Sequence, residues 1–221
     1  MKPSFEELTG RVESHLLKIT LNNYDVLIHP LIEHDLRNWE KISLQSGIDF
    51  AIASAFRSYD RQLLIWNEKV QGKRAVRNKL GDAVDISKLN EHELLDTILI
   101  WSHIPGASRH HWGSDLDVFD AAWFKLHNEK LELQNELFLN NGACAKFHLL
   151  NEKLIAQKMP FYRPYNTQES FMTELWHYSH ARVAKEFETA YSFEIFVKNL
   201  KASPQLELQS LLLANPEYFY K

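Results

Sequence analysis

A ten-residue segment from Ser108 to Asp117 holds side chains of the kinds that bind metal ions. His110 offers an imidazole, and Asp117 places a carboxylate inside the apolar run 116–119, which predicts a strand. The two are an odd number of residues apart, so a straight strand would send them to opposite faces, whereas a turn at Gly113 lets them converge. A catalytic zinc ion typically takes three protein ligands and leaves its fourth position to water. The segment therefore supplies two candidate ligands and requires a third.

A second stretch, 174–177, supplies that ligand and a base. His177 completes the set, and Glu174 is a carboxylate that could act on the bound water. A spacing of three residues puts two side chains on one face of a helix but on opposite faces of a regular strand, so we expect a bend or bulge here. Two other histidines, His111 and His180, are alternative candidates for metal ligands. His111 would point the other way in an extended segment, and His180 is explained equally well as a solvated or core-edge residue.

Length and composition are those of a compact fold. The chain has 221 residues, 45% of them hydrophobic and 12% aromatic, which suits one domain over 1–221. The formal net charge is -4 with both signs interspersed, unlike the clustered basic footprint of a nucleic-acid-binding protein, so no nucleic acid partner is expected. Cys144 is the single cysteine, which excludes an internal disulfide framework. We expect a monomer.

The sequence as written predicts neither export nor a membrane span. Residues 1–20 carry charged side chains where a signal peptide needs an unbroken apolar core. The richest apolar run, 94–101, is far shorter than the roughly 20 residues that cross a bilayer. The expected location is therefore the cytoplasm, or the periplasm if the true start of the protein differs.

Hydrophobic periodicity predicts helices of unequal length with strands scattered between them. Apolar residues at helical spacing over 31–44 predict a helix, and the Ile-, Ala- and Phe-rich stretch 48–56 predicts a strand that delivers Arg57 at its end. Ser58 can cap a helix over 59–70. The remaining predicted segments are a solvated basic loop at 71–79, a helix at 90–103, helical residues at 121–158 with a break at 140–142, irregular or extended chain at 161–165, an aromatic stretch at 171–178, and amphipathic helices at 181–200 and 206–213 packed on the outside of the sheet. Because strands and crossover helices do not alternate steadily, the predicted class is α+β.

Three separated motifs follow one another along the chain. They are Ser54-x-Phe56-Arg57-Ser58-x-x-x-Gln62, then Ser108-x-His110-x-x-Gly113-x-Asp115-x-Asp117, and finally Glu174-x-Trp176-His177. As a set, and in this order, they resemble the zinc D-alanyl-D-alanine carboxypeptidases of the VanY type, small bacterial peptidases that act on peptidoglycan peptides. The resemblance covers about 30–180. It implies a small antiparallel sheet flanked by helices, with a peptidase core at 30–180 followed by C-terminal helices at 181–221.

The resemblance also implies a role for each motif residue. The ligands of Zn²⁺ at the sheet are His110, Asp117 and His177, and the catalytic residues are Glu174 and Arg57. Glu174 accepts the proton of the attacking water. Arg57 holds the terminal carboxylate of the substrate or stabilises the oxyanion. The residues expected to contact substrate or brace the pocket are Ser108, Gln62 and Trp176.

The predicted function is removal of the terminal D-alanine from peptidoglycan stem or precursor peptides. The sequence leaves open an L,D-carboxypeptidase or an endopeptidase on the same scaffold, and also a noncatalytic zinc module. Glu174 argues against the last, because a structural zinc site has no use for an adjacent base. One departure from the family stands out: Asp115 lies where alanine is most common. Two residues from Asp117 on a strand, Asp115 would share its face and could either support a ligand or compete as one.

Overall fold

The computed structural model describes residues 2–22, 24–165 and 174–220, in which helices outnumber strands. The helices are α1 Phe5–Leu8, α2 Glu33–Gln45, α3 Tyr59–Val70, α4 Glu91–Leu99, α5 Ala122–His127, α6 Ala145–Ala156, α7 Ala181–Ala190, α8 Phe193–Lys201, α9 Gln209–Ala214 and α10 Pro216–Phe219. The strands are β1 Leu17–Leu21, β2 Tyr24–Ile28, β3 Phe50–Ser54, β4 Asp115–Asp120, β5 Phe161–Tyr162 and β6 His177–His180. The α+β class predicted from the sequence is confirmed.

The chain forms two compact units, each built from separate stretches of sequence. The helical unit consists of Met1–Glu13, Arg57–His111 and Glu186–Lys221, and the sheet unit consists of Ser14–Phe56 and Trp112–Lys185. The division into a core at 30–180 and C-terminal helices at 181–221 stays a prediction.

In the helical unit, the predicted start of α3 is confirmed. The Ser58 hydroxyl accepts a hydrogen bond from the Arg61 backbone N–H, which satisfies one of the free donors at the start of a helix. The packing of the C-terminal helices on the outside of the sheet stays a prediction. Buried residues of α8, α9 and α10 share one apolar cluster with those of α3 and α4. Its members include Trp66, Leu95, Ile98, Phe196, Leu200, Leu212 and Phe219.

The helical segment predicted over 121–158 is largely wrong in its middle. Only α5 and α6 are α-helical there, with a short 3₁₀ turn at Asn135–Phe138 between them. Asn128 and Asn140 both adopt the left-handed conformation, with φ of 50° each. Asparagine tolerates that conformation better than most residues, and a single such residue ends a helix. The break predicted at 140–142 is confirmed, but the helical structure is interrupted already from Asn128, so the two helices are shorter than predicted.

The sheet unit contains a two-stranded hairpin and a four-stranded antiparallel sheet. The hairpin pairs β1 with β2, and the sheet has the strand order β3-β4-β6-β5. The sequence predicted β3 and β4 but not the hairpin, since no strand was predicted before residue 48. Strand β4 is therefore an inner strand, paired on one side with β3 and on the other with β6.

An aromatic layer covers one face of the four-stranded sheet. The Trp39 ring of α2 lies 5.2 Å from Phe50, 5.0 Å from Phe161 and 5.0 Å from Tyr178, measured between ring centroids. Phe147 of α6 stacks on Trp39 at 6.2 Å. Fully burying one such side chain contributes roughly 1.5–3 kcal/mol. Because neighbouring residues on a strand point to opposite faces, burying Tyr178 in this layer turns His177 to the other face.

Gly113 connects a 3₁₀ turn at Arg109–Trp112 to the start of β4, and its backbone leaves no room for a side chain. Its φ is +68°, and an added Cβ would lie 2.8 Å from the His29 backbone nitrogen and 2.6 Å from Leu16 Cδ2. The Gly113 carbonyl also accepts a hydrogen bond from the His29 N–H at 2.8 Å. The sharp turn predicted at this glycine is confirmed.

We predict that Gly113→Ala destabilises the protein by about 3 kcal/mol, because a left-handed backbone costs about 1–2 kcal/mol and steric overlap adds a similar amount. The matched control is Gly81→Ala. Gly81 has φ of +86° but nothing within 4 Å of an added Cβ, so its substitution measures the cost of the left-handed backbone without steric overlap. Urea unfolding of both variants measures the difference, and equal losses would show that the close approach to His29 is unimportant.

Candidate metal centre

Pairing of β4 with β6 gathers four polar side chains on the sheet face opposite the aromatic layer. In the register, Asp115 lies opposite Ser179 and Asp117 lies opposite His177. All four side chains are buried, and none of these residues is more than 6% exposed. Burying polar groups is unfavourable unless each has partners, so this face carries a network and not a second apolar layer.

His110, Asp117 and His177 form a candidate metal site. Each offers one ligand atom, and these atoms all lie within 4.8 Å of one another. All three residues are buried, His110 at 4% exposure and His177 at 2%. The grouping is the one predicted from the sequence, and Asp115 is not part of it.

The electrostatics of His177 reflect the two carboxylates beside it. Its Nδ1 lies 3.0 Å from Asp117 Oδ1, and its Nε2 lies 2.9 Å from Asp115 Oδ2. Burial lowers the pKa of His177, but hydrogen bonds to Asp115 and Asp117 outweigh it and raise the pKa to about 10. A metal cation that binds this histidine must therefore displace a proton, and the nearby negative charge compensates for the cation.

Glu174 is brought to His177 by a turn. The His177 N–H donates to the Glu174 carbonyl at 3.2 Å, and β6 begins only at His177. The bend expected between these residues is therefore confirmed. Glu174 Oε2 lies 3.6 Å from His177 Nδ1, on the ring edge that also faces Asp117. The predicted aromatic stretch at 171–178 falls partly outside the described residues, which resume at 174.

In the helical unit, Arg57 is held by both backbone and side-chain contacts. Its N–H donates to the His110 carbonyl at 3.0 Å, which ties the end of the first motif to the second. Its Nη1 donates to Gln62 Oε1 at 2.9 Å, while Gln62 Nε2 donates to the His103 carbonyl at 2.7 Å. Gln62 is fully buried, and both ends of its amide are engaged. Of the two roles considered for Gln62, these contacts support bracing Arg57.

His111 serves as a structural bridge. Its Nδ1 donates to the Arg57 carbonyl at 2.6 Å, and its Nε2 accepts from the Gly106 N–H at 3.0 Å. Burial is the largest cause that lowers the pKa of His111, to about 3, so the ring is neutral at physiological pH. With both ring nitrogens committed to the backbone, His111 supports the segment that carries His110 and is not available as a ligand.

The remaining candidates, Ser108, Trp176 and His180, are all buried. Ser108 is fully buried, and its hydroxyl has no hydrogen-bond partner among the described residues. Trp176 is 6% exposed and packs near Phe138, at 6.1 Å between ring centroids. His180 Nε2 lies 3.0 Å from Asp35 Oδ2, so a hydrogen bond at the edge of the core accounts for this histidine without a metal.

Two functional arrangements were missed by sequence reasoning. One is the bridge made by His111, which carries no sequence signal because its partners are backbone groups, Gly106 nearby and Arg57 distant in the chain. The other is the contact between Asp115 and the Nε2 edge of His177. The sequence placed Asp115 on the face of Asp117, but the diagonal contact needs the register of β4 on β6.

Comparison with known proteins identifies the family. The family profile described as VanY, D-alanyl-D-alanine carboxypeptidase, matches residues 26–183. That is more than half of the chain, and the chain therefore belongs to this family. Residues 26–183 include all three motifs. An uncharacterized protein of Haemophilus influenzae is 31% identical over 103 residues, which cover 46% of this chain and 70% of that relative.

Solved structures show the same fold. VanYB in complex with D-alanine-D-alanine has a TM-score of 0.53 at 16% identity, covering 83% of this chain and 88% of its own. A mutant of the vancomycin resistance D,D-pentapeptidase VanY in complex with Zn(II) has a TM-score of 0.51 at 17% identity, with coverage of 82% and 88%. The LdcB LD-carboxypeptidase has a TM-score of 0.52 at 19% identity, with coverage of 80% and 73%. The VanY-like fold is thus established, and family and fold together support a peptidase that acts on peptidoglycan.

Among the described residues, no helix has the length and apolar character required to cross a membrane.

We predict that two adjacent histidines respond oppositely to substitution. His110→Ala should lose bound zinc, because it removes one of three ligands. His111→Gln should keep zinc but lose about 1–3 kcal/mol of stability, because the flexible amide does not hold its donor and acceptor where the ring holds Nδ1 and Nε2, and at least one backbone bond is lost. Elemental analysis after dialysis against zinc, together with urea unfolding, distinguishes them. Loss of zinc from a folded His111→Gln protein would instead make His111 a ligand.

Proposed function

We propose that this protein is a zinc-dependent D-alanyl-D-alanine carboxypeptidase that removes the C-terminal D-alanine of peptidoglycan stem or precursor peptides. The observation that carries the proposal is the buried cluster of His110, Asp117 and His177, with the Glu174 carboxylate 3.6 Å from His177. A ligand set beside a carboxylate base is what hydrolysis requires, and the family makes peptide the substrate class.

The donor set fits zinc. Two imidazoles and one carboxylate match the ligand types of catalytic zinc sites, which keep three protein ligands and one open position. Bound zinc would polarise the scissile carbonyl and lower the pKa of a water molecule toward about 7. Two histidines and a carboxylate also occur in iron(II) oxygenases, so the donor set alone does not choose the metal. Membership of a peptidase family favours zinc, which has no redox chemistry.

Glu174 is proposed as the general base and acid. Its side chain is 17% exposed, whereas the His177 side chain beside it is 3% exposed, so the carboxylate can reach a substrate that His177 cannot. Glu174 takes a proton from the attacking water as the oxygen bonds to the carbonyl carbon. It returns the proton to the amine nitrogen as the peptide C–N bond breaks. A zinc site that only stabilises a fold would not place a carboxylate here.

Arg57 is proposed to pair with the terminal carboxylate of the substrate. Its guanidinium is oriented by Gln62, which is itself anchored to the His103 carbonyl. An oriented, planar guanidinium suits bidentate pairing with a free carboxylate, and an internal peptide bond offers no such partner. This favours an exopeptidase over an endopeptidase. Ser108 and Trp176 remain proposals as substrate contacts, with Ser108 the stronger of the two because its hydroxyl has no partner within 2–22, 24–165 and 174–220.

We predict that Glu174→Gln keeps the fold and the zinc while hydrolysis falls by at least about 10²-fold, because an amide cannot accept the proton. Glutamine preserves the size of the side chain, so binding of the metal should change little. The control is Glu217→Gln, at an exposed position of α10, which should leave activity unchanged. Activity is measured by release of D-alanine, and near-normal activity of the Glu174 variant would refute the mechanism.

We predict that the enzyme distinguishes three peptides by their ends. It should release D-alanine from a pentapeptide stem ending in D-Ala-D-Ala, but not from the same stem with an amidated carboxyl group, because the amide cannot pair with Arg57. A tetrapeptide stem should be left intact. Arg57→Lys should weaken cleavage of the free pentapeptide, since an ammonium group does not reproduce the planar fork. Mass spectrometry of the products gives the result.

Other cleavage patterns count against specific parts of the proposal. Equal cleavage of the amidated stem would remove the role assigned to Arg57. Cleavage of the tetrapeptide alone would make the protein an L,D-carboxypeptidase, the activity named for LdcB, whose fold is similar. Zinc binding without cleavage of any peptide would favour a noncatalytic zinc module.

A further inference from the structure

Asp115 lies on the opposite edge of the His177 ring from the candidate ligand Asp117. Asp115 Oδ2 is 2.9 Å from Nε2, whereas Asp117 Oδ1 is 3.0 Å from Nδ1. Glu174 also lies on the Nδ1 side. The ring therefore separates two carboxylates that are only two residues apart in the chain, and the candidate ligand Asp117 lies on the same edge as the proposed base Glu174.

The Asp115 carboxylate is held in place by hydrogen bonds that do not involve His177. Its Oδ1 accepts hydrogen bonds from the Ser114 hydroxyl at 2.9 Å and the Ser179 hydroxyl at 2.8 Å. Ser179 is the cross-strand neighbour of Asp115, so strand pairing places this donor. Asp115, Ser114 and Ser179 are all fully buried. With Oδ1 committed to two hydroxyls, Oδ2 is left to accept from Nε2.

We infer that Asp115 is a positioning residue for His177: it accepts the Nε2 proton, holds the plane of the ring, and leaves Nδ1 to face the metal ligand cluster. This role rests on the metal site of the proposed function. A histidine that binds a metal through one ring nitrogen carries its remaining proton on the other, and a hydrogen bond to that proton fixes both tautomer and orientation. Such partners of metal ligands typically change metal affinity 10–100-fold when they are removed.

The same geometry argues against Asp115 as a ligand. The atoms of His110, Asp117 and His177 lie within 4.8 Å of one another without it. Both oxygens of Asp115 are already engaged, one with two serines and one with His177. To bind a metal, Asp115 would have to give up its bond to His177 or its bonds to the two serines, which would leave buried polar groups unsatisfied.

Two substitutions of Asp115 test the tautomer argument. Asp115→Ala removes the acceptor. Asp115→Asn keeps the shape, but its carbonyl oxygen should remain with the two serine hydroxyls and turn its NH₂ toward Nε2, which favours a proton on Nδ1 instead. The matched control is Asp120→Asn, a buried carboxylate at the end of the same strand that accepts from the Asp49 and Ala122 backbone N–H groups.

Zinc dissociation constants from chelator competition, and NMR of the His177 imidazole N–H in the zinc-loaded protein, are the measurements. We expect a slowly exchanging Nε2–H signal in the wild type, its loss in both Asp115 variants, and zinc binding weaker by 10–100-fold. Asp120→Asn should retain the signal and the zinc affinity. Unchanged affinity in folded Asp115 variants would overturn the inference, as would complete loss of zinc equal to that of Asp117→Ala, which would make Asp115 a ligand. Because neither measurement uses substrate, absence of peptidase activity would count against the proposed function and not against this role.

Discussion

The register of β4 on β6 is the constraint on which the metal site depends. Pairing Asp117 with His177 places two candidate ligands side by side, and pairing Asp115 with Ser179 builds the support behind them. A shift of β4 by one residue would turn its polar side chains, Asp115 and Asp117, into the layer built around Trp39 and away from His177. The aromatic layer therefore protects the register, since it would have to be exposed for the strands to slip.

Charge balance explains why so many polar groups can be buried on one face. Two carboxylates flank His177, and the pKa of that histidine is raised to about 10 although burial acts in the opposite sense. The network is stable with a cation at its centre, either a proton on His177 or a metal ion that replaces it. His111, which follows His110 in the chain, is the opposite case: it is buried without a charge. It is neutral, with a pKa lowered to about 3, and it stabilises the backbone of Arg57 and not a charge.

Sequence reasoning succeeded where the signal was local. The cap of α3 at Ser58, the turn at Gly113 and the bend before His177 all depend on neighbours within a few residues. The ligand set was found because metal chemistry restricts the residue types, and the motif order then identified the family. Some contacts could not be predicted from the sequence because they depend on strand register or on backbone groups. These include the diagonal contact of Asp115 with His177 and the bridge made by His111. The β1–β2 hairpin was missed although its signal is local: in β1 the apolar residues Leu17, Ile19 and Leu21 alternate with polar ones, which is the pattern of a half-buried strand.

The most direct test of the account is the location of zinc in crystals of the zinc-loaded protein, determined from anomalous diffraction at the zinc absorption edge. The account predicts one strong peak per chain, about 2.0–2.2 Å from a ring nitrogen of His110, a carboxylate oxygen of Asp117 and Nδ1 of His177. A peak bonded to Asp115 in place of Asp117, or no ordered peak at this face of the sheet, would contradict it.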